Sequence, residues 1–261
     1  MKVASSRLTS FVIWALLGSV GWCQVDEDFE AYPLGNIDGQ GLWVDFGGVN
    51  LTEVSNDFAH SGDHSMKMSL SDLDPNPESI VGYGSDVFID MEGRVRGGEY
   101  VISYWTYLPS DFNGANYAYF SEGSVGAGNF DYGTQLVASG DIDSFLYFVG
   151  GQAFGIPLIR DQWVEARQLI DLDENTVRIT YGGDLLFDGL WDPDPLTRDD
   201  VPQFWGVNFW VQDVKEGEVP TGAMYIDDVY FGTVPVPEPA ASTAMLLLAC
   251  LTFGRRSVRR R

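Results

Sequence analysis

Aromatic side chains bind neutral sugars by stacking the C–H face of a pyranose on the ring, and this chain of 261 residues carries 8 tryptophans and 12 tyrosines. Trp191, Trp105, Tyr117 and Tyr119 are the candidates for such contacts, with Trp205 and Trp210 as further ones. Trp191 adjoins a stretch with three prolines and four aspartates in a dozen residues and is expected to be the most exposed. Trp43, Trp163 and Trp210 stand in strand-like or motif contexts and are expected in the core. Asn113, Asn116, Asn129 and Gln135 could donate to and accept from sugar hydroxyls.

Hydrolytic chemistry has less to work with. Glycoside hydrolysis needs two carboxyl groups about 5 to 10 Å apart. Glu165 has no such partner along its strand, and Asp171 and Asp173 have the spacing but fall at an expected turn. His60 and His64 are four apart, which would suit a metal on a helix, yet Ser61-Gly62-Asp63 between them reads as a turn. No serine-nucleophile motif and no phosphate-cradling glycine loop stands out.

The charge narrows the partners. Residues 25–237 hold 8 basic and 37 acidic side chains, a net charge of −29 that repels phosphate backbones and anionic membrane surfaces. Nucleic acid is therefore excluded as a partner, and neutral polymers and divalent cations are the natural ones. The same charge also serves to keep an exported protein soluble. The two cysteines, Cys23 and Cys250, lie near the two ends, so the middle of the chain has neither disulfide nor thiolate metal ligand.

Both ends read as addresses. Lys2 and Arg7 precede an apolar stretch from Phe11 to Val20, and Ser19 and Gly21 offer a small-residue cleavage site, so residues 1–24 form an expected signal peptide. Trp22 stands where a lipoprotein signal wants a small residue, which disfavours lipid attachment at Cys23. At the other end, Val234 to Pro239 is a stiff Pro-rich spacer, Ala240 to Phe253 an apolar helix of about 21 Å, and five arginines follow Gly254. That helix is short for a bilayer core of about 30 Å, although snorkelling arginines extend its reach and stay cytoplasmic. This three-part tail, residues 234–261, resembles the PEP-CTERM sorting signal of Gram-negative bacteria, with Val236, Pro237, Glu238 and Pro239 matching its motif. The resemblance implies export through the inner membrane, an exosortase-type protease as partner, and a membrane anchor that is transient or retained.

Residues 25–233 must supply the scaffold, and they show no helical periodicity. Runs rich in β-branched and aromatic residues recur between Gly, Asp, Asn and Pro clusters. Strands are expected at 65–69, 100–107, 117–121, 134–138, 145–149, 164–170, 176–181, 185–187, 206–211 and 224–231. Along 100–107, alternation puts Val101, Ser103, Trp105 and Tyr107 on one face and Tyr100, Ile102, Tyr104 and Thr106 on the other. Asp171 to Asn175 should close a hairpin, and Tyr181-Gly182-Gly183-Asp184 a second tight turn. The fold class read from this is all-β, a sandwich of two antiparallel sheets, flanked by an N-terminal signal helix and a C-terminal hydrophobic helix.

Three stretches make that reading more specific. The opening Asp28-Phe29-Glu30-Ala31-Tyr32-Pro33-Leu34-Gly35 with Gly39-Gln40-Gly41-Leu42-Trp43, the later Ala59-His60-Ser61-Gly62-Asp63-His64-Ser65-Met66-Lys67, and the closing Tyr225-Ile226-Asp227-Asp228-Val229 are similar to concanavalin A-like, laminin G-like jelly rolls. So is the hairpin from Trp163 to Gly183. The resemblance implies that the first and last strands lie side by side, bringing Asp28 and Glu30 near Asp227 and Asp228. It also implies a structural calcium held there, with help from carbonyls such as those of Ser61 and Gly62. The Glu-x-Asp-x-x-Glu pattern of laminarinase-like enzymes is missing.

Together these readings describe an exported cell-surface or matrix protein, non-catalytic, whose jelly roll binds carbohydrate or exopolysaccharide. A polysaccharide-degrading glycosidase or lyase, and a structural envelope component without a discrete ligand, are the alternatives.

Overall fold

The computed structural model of the chain describes residues 25–45, 51–70, 83–95, 97–121, 132–191, 204–212 and 221–234. The expected signal peptide, the sorting tail with Val236, Pro237, Glu238 and Pro239, and Asn129 lie outside the described residues. Among the described residues there is no helix, hence none long and apolar enough to cross a membrane.

In chain order the strands are β1 Val25–Glu27, β2 Gly35–Asn36, β3 Trp43–Asp45, β4 Thr52–Ser55, β5 Ser65–Ser69, β6 Tyr83–Val95, β7 Glu99–Tyr107 and β8 Ala115–Ser121. They continue as β9 Tyr132–Ser139, β10 Ser144–Val149, β11 Gln152–Pro157, β12 Trp163–Asp171, β13 Thr176–Tyr181, β14 Asp184–Leu190, β15 Phe204–Gln212 and β16 Ala223–Thr233. One sheet runs β14-β13-β12-β7-β16-β5-β4-β2, with β1 also paired to β16, and the other runs β11-β10-β9-β8-β15-β6-β3. All pairings are antiparallel.

Each expected strand is present, extended by a residue or two at most at either end except β14, which runs three further. β7 alternates as its sequence requires: Tyr100, Ile102 and Tyr104 enter the core, and Trp105 and Tyr107 are half-buried on the outer face. The hairpin β12–β13 closes through 172–175 with Asn175 at φ 53°, a left-handed conformation that Asn tolerates. The strands that pattern reading did not identify are β1 to β4, β6 and β11.

The two sheets face each other across an aromatic core. Tyr104 meets Phe209 edge-on at 5.1 Å, Phe145 stacks on Tyr181 at 4.0 Å, and Phe204 stacks on Phe231 at 4.8 Å. In each pair the two rings come from different sheets. Trp43 is fully buried against Phe29 and Phe209, as expected for a core residue.

Two expectations about tryptophans are corrected. Trp191 is fully buried, because its backbone N–H donates to Asn175 O just past the end of β14 and its ring tucks into the core before the Asp/Pro-rich stretch begins. Trp163 and Trp210 are half-buried on outer faces, since their strands place Val164 and Ala166, and Phe209 and Val211, inward instead.

Candidate functional site

On the outer face of the seven-stranded sheet, period-two alternation turns Tyr117 and Tyr119 of β8 away from the core that Ala118 and Phe120 enter. Asn208, Trp210 and Gln212 of β15 do the same on the neighbouring strand. The register sets Trp210 beside Tyr117 and Asn208 beside Tyr119. On β6, Asp86 pairs with Trp210; on β9, Gln135 pairs with Tyr119. Residues from four strands thus share one surface.

The three rings form a near-parallel group. Tyr117 and Tyr119 lie 5.8 Å apart with 10° between planes, Tyr117 and Trp210 5.4 Å apart at 33°, and Tyr119 and Trp210 6.4 Å apart at 24°. Their polar tips are held as well: Gln212 Nε2 donates to Tyr117 Oη at 2.7 Å and Gln135 Nε2 to Tyr119 Oη at 3.2 Å. Asn208 Nδ2 donates to Asp86 Oδ1 at 2.6 Å and to Val87 O at 3.0 Å. Burial raises the Asp86 carboxyl above the usual carboxylate range; the Asn208 amide opposes the shift and the charge of Asp45 adds to it. None of the side chains in this group is a lysine or arginine, and Asp86 is the carboxylate among them. An aromatic surface with fixed amides and hydroxyls, and without a cation, suits a neutral polyhydroxylated ligand.

Of the sequence candidates, the fold therefore brings Tyr117 and Tyr119 together and adds Trp210 and Gln135. Trp105 sits on the opposite sheet, covered by His60, whose ring stacks on it at 3.7 Å and 14°. Asn116 is buried, with Nδ2 directed to Trp210 O and Met68 Sδ, and Asn113 Oδ1 accepts from Thr221 N. Asp86, Asn208 and Gln212 had no local mark as site residues. The usable signal for Trp210 was the alternation Asn208-Phe209-Trp210-Val211-Gln212, which puts it opposite Phe209.

The expected acidic cluster is partly assembled. β1 pairs with β16, so the first and last described strands are neighbours. β16 carries a bulge between Asp227 and Tyr230, with Asp228 at φ 45°, and this turns both aspartates toward the 56–64 segment. Asp227 Oδ2 accepts from His60 N at 2.7 Å and Ser61 N at 3.2 Å, and its Oδ1 accepts from Asp228 N at 2.8 Å. Asp228 accepts from Ser61 Oγ and meets His60 Nδ1 at 2.5 Å. Glu30 Oε1 accepts from Asp63 N and His64 N, which holds its carboxyl below the usual range, and Asp28 Oδ1 accepts from Glu30 N. Gly62 is required here: at φ 59° it is left-handed, and a side chain would collide with Glu30.

Glu30, Asp227 and Asp228 thus accept from amides and a hydroxyl of the 60–64 segment, while Asp28 accepts from Glu30 N. Among the described residues no three His, Cys, Asp or Glu side chains group as a metal site needs. The visible work of Glu30, Asp227 and Asp228 is to fasten the loop that carries Phe58 and His60.

No protein-family model and no curated protein matches the sequence. The fold does have solved counterparts. The chain is similar to a structure described as a sialidase, with a TM-score of 0.54 and 12% identity over 82% of this chain, and it spans 19% of that longer chain. It is similar to the alginate lyase Aly36B, with a TM-score of 0.51 and 14% identity over 83% of this chain and 99% of that one. The catalytic domain of a glycoside hydrolase family 131 protein from Coprinopsis cinerea gives a TM-score of 0.52 and 13% identity, over 81% and 94% of the two chains. At these identities the likeness is one of fold: an all-β sandwich of two antiparallel sheets.

Proposed function

We propose that this is an exported surface or matrix protein whose concanavalin A-like jelly roll binds a neutral polysaccharide along the outer face of its seven-stranded sheet. The observation that carries the reading is the Tyr117–Tyr119–Trp210 group, with its hydroxyls held by Gln135 and Gln212. A sugar ring stacked there exchanges little entropy for contact, because the aromatic side chains are already placed. The counterparts include an alginate lyase and a β-glucanase, and the charge selects between the two kinds of polymer. A uronate chain would meet a domain of net −29 with no cation in the Tyr117–Tyr119–Trp210 group, whereas a neutral glycan meets no such barrier. Export by the N-terminal signal helix, sorting by an exosortase through the Val236-Pro237-Glu238-Pro239 motif, and a C-terminal membrane helix before processing complete the proposal.

Affinity electrophoresis of the purified domain against β-glucan, mannan and alginate tests it. Retardation by at least one neutral polymer, none by alginate, and loss of retardation in Trp210→Ala is the expected pattern. Equal retardation by alginate, or an unchanged response in Trp210→Ala, would overturn it and leave a structural component without a discrete ligand.

A second reading rests on Asp86. A carboxyl raised by burial and steered by Asn208 at the edge of an aromatic surface is the form a proton donor for glycosidic cleavage takes. Release of reducing ends from the bound polymer, abolished in Asp86→Asn with binding retained, would make the protein a glycosidase; binding without release keeps it a binding protein.

A further inference from the structure

On the opposite sheet, where β5 ends and β16 begins, the described residues enclose a cleft of about 490 Å³, within the range of small-ligand sites. Its walls mix chemistry. Phe58, an exposed ring, and Tyr225 supply aromatic surface, Ser69 a hydroxyl, Lys67 an ammonium and Asp111 a carboxylate, while Ala223 forms part of the floor.

Three features make this cleft a built site. First, its far wall is rigid. The segment 109–113 that carries Asp111 is fastened by Arg160, whose Nη1 donates to Pro109 O and Phe112 O at 3.1 and 2.9 Å and whose Nη2 donates to Gly140 O at 2.8 Å. Asn113 and Thr221 exchange two further hydrogen bonds across the mouth of β16. Gly222, at φ 80°, lets the chain pass within reach of the Phe112 backbone, where a side chain would be strained and crowded. Second, the ring wall is fixed: Phe58 stacks on Tyr107 at 4.6 Å and leans on Tyr225 at 4.9 Å. Third, the cation is present but neutralised. Lys67 Nζ lies 2.8 Å from Asp57 and 3.3 Å from Glu53, which leaves one of its three donors for a ligand while adding no net positive charge.

We propose that this cleft is a second saccharide site, taking a short neutral segment or chain end through Phe58, Lys67, Ser69 and Asp111, so that the domain holds two glycan strands at once. The inference builds on carbohydrate binding by the Tyr117–Trp210 face. A neutral sugar offers vicinal hydroxyls that accept from Lys67 and donate to Asp111, and a C–H face for Phe58. An anion would instead face Asp57, Glu53 and Asp111 together. Because the two sites lie on outer faces of opposed sheets, one stretch of polymer cannot occupy both. The domain then acts as a cross-link, and avidity comes from joining chains.

Titration calorimetry with cellohexaose and laminarihexaose, together with turbidity of mixed-linkage β-glucan, separates the possibilities. Wild-type protein should titrate as two sites and cloud the polymer. Ala223→Trp, which fills the cleft, and Asp111→Ala, an exposed change that spares the fold, should each remove one site or weaken it at least tenfold. Both should abolish turbidity while leaving the site that Trp210→Ala removes. A single site lost in Trp210→Ala and untouched by both cleft variants overturns the cleft and leaves the first reading standing. A single site lost in the cleft variants and untouched in Trp210→Ala overturns the bivalent proposal and the first reading, and absence of saturable binding to either oligosaccharide overturns the bivalent proposal, leaving the first reading to the electrophoresis.

Discussion

Replacing Arg160 by methionine is the sharpest test of how the 109–113 segment is held. The guanidinium directs Nη1 to two carbonyls, Nη2 to a third and Nε to Asp143 Oδ1 at 2.8 Å, and its side chain is only 19% exposed. Methionine keeps the apolar stem and strands the three carbonyls of Pro109, Phe112 and Gly140. Each lost bond to a charged donor costs about 1 kcal/mol once partial access of water is allowed for, or about 3 kcal/mol together. Asp143 is 71% exposed, so losing its pair adds little. For a domain near this size about 3 kcal/mol lowers Tm by roughly 6 to 12 °C. Urea unfolding followed by tryptophan fluorescence gives the global value, and hydrogen exchange at Asn113 reads the local one. Arg160→Lys, which keeps the charge and loses the fork, should fall between the two proteins. If Arg160→Met unfolds within about 0.5 kcal/mol of wild type, and exchange at Asn113 is unchanged, the segment is held by something other than this side chain.

Other outcomes follow from the same geometry. Burial lifts the Asp227 carboxyl from 3.8 to about 6 against the opposing amides of His60, Ser61 and Asp228, so the folded state binds an extra proton between those values. That contribution to stability is present below about pH 4 and lost as pH rises through 6; the difference in urea midpoint between wild type and Asp227→Asn should shift across this window, and a constant difference would refute it. His60→Ala removes the ring from Trp105 and the partner from Asp228 and should cost about 1 to 2 kcal/mol, read by thermal melting together with faster proteolysis at 56–64. Calcium and magnesium at equal ionic strength should raise Tm alike if the acidic cluster is a solvated surface, because Glu30, Asp227 and Asp228 already accept from the 60–64 segment and Asp28 from Glu30 N; a clear calcium preference lost in Asp228→Ala would establish a metal site. Mass spectrometry of the surface protein in a host with an exosortase should show loss of the residues after Pro239, and an intact Arg261 terminus throughout would rule out that route.

The sequence showed most where side-chain pattern and local turn chemistry agree. β7, β12, β13 and β16 combine β-branched and aromatic runs with clear boundaries, and all stood out. β6 did not, since Asp86, Asp90, Glu92, Gly93 and Arg94 interrupt any apolar alternation. β11 is an outer strand containing Gly155 and Pro157, and β1 to β4 have four residues or fewer. Such strands owe their existence to the neighbour they pair with. The site divides the same way. Tyr117 and Tyr119 could be read from one strand, but Asp86 and Asn208 meet only because β6 and β15 pair across 122 residues of chain. Trp191 misled because proximity to a Pro-rich stretch says little about where the ring itself is stored.

The pairing of β16 also has a mechanical meaning. β7 flanks one side of it, β5 and then β1 flank the other, and Val234 N still donates to Glu99 O just beyond its end. Tension arriving through the residues after Val234 runs along the axis of β16, while its ladder bonds stand across that axis. They are loaded in shear, many at once, and cannot be peeled in succession. Tension from a polymer on the Tyr117–Trp210 face enters through the other sheet and must cross the Tyr104–Phe209 and Phe204–Phe231 contacts to reach the same strand. A protein pulled between a bound polymer and its C-terminal end would thus resist rupture along its strongest direction, and its lifetime under flow would be set by that geometry more than by its equilibrium stability.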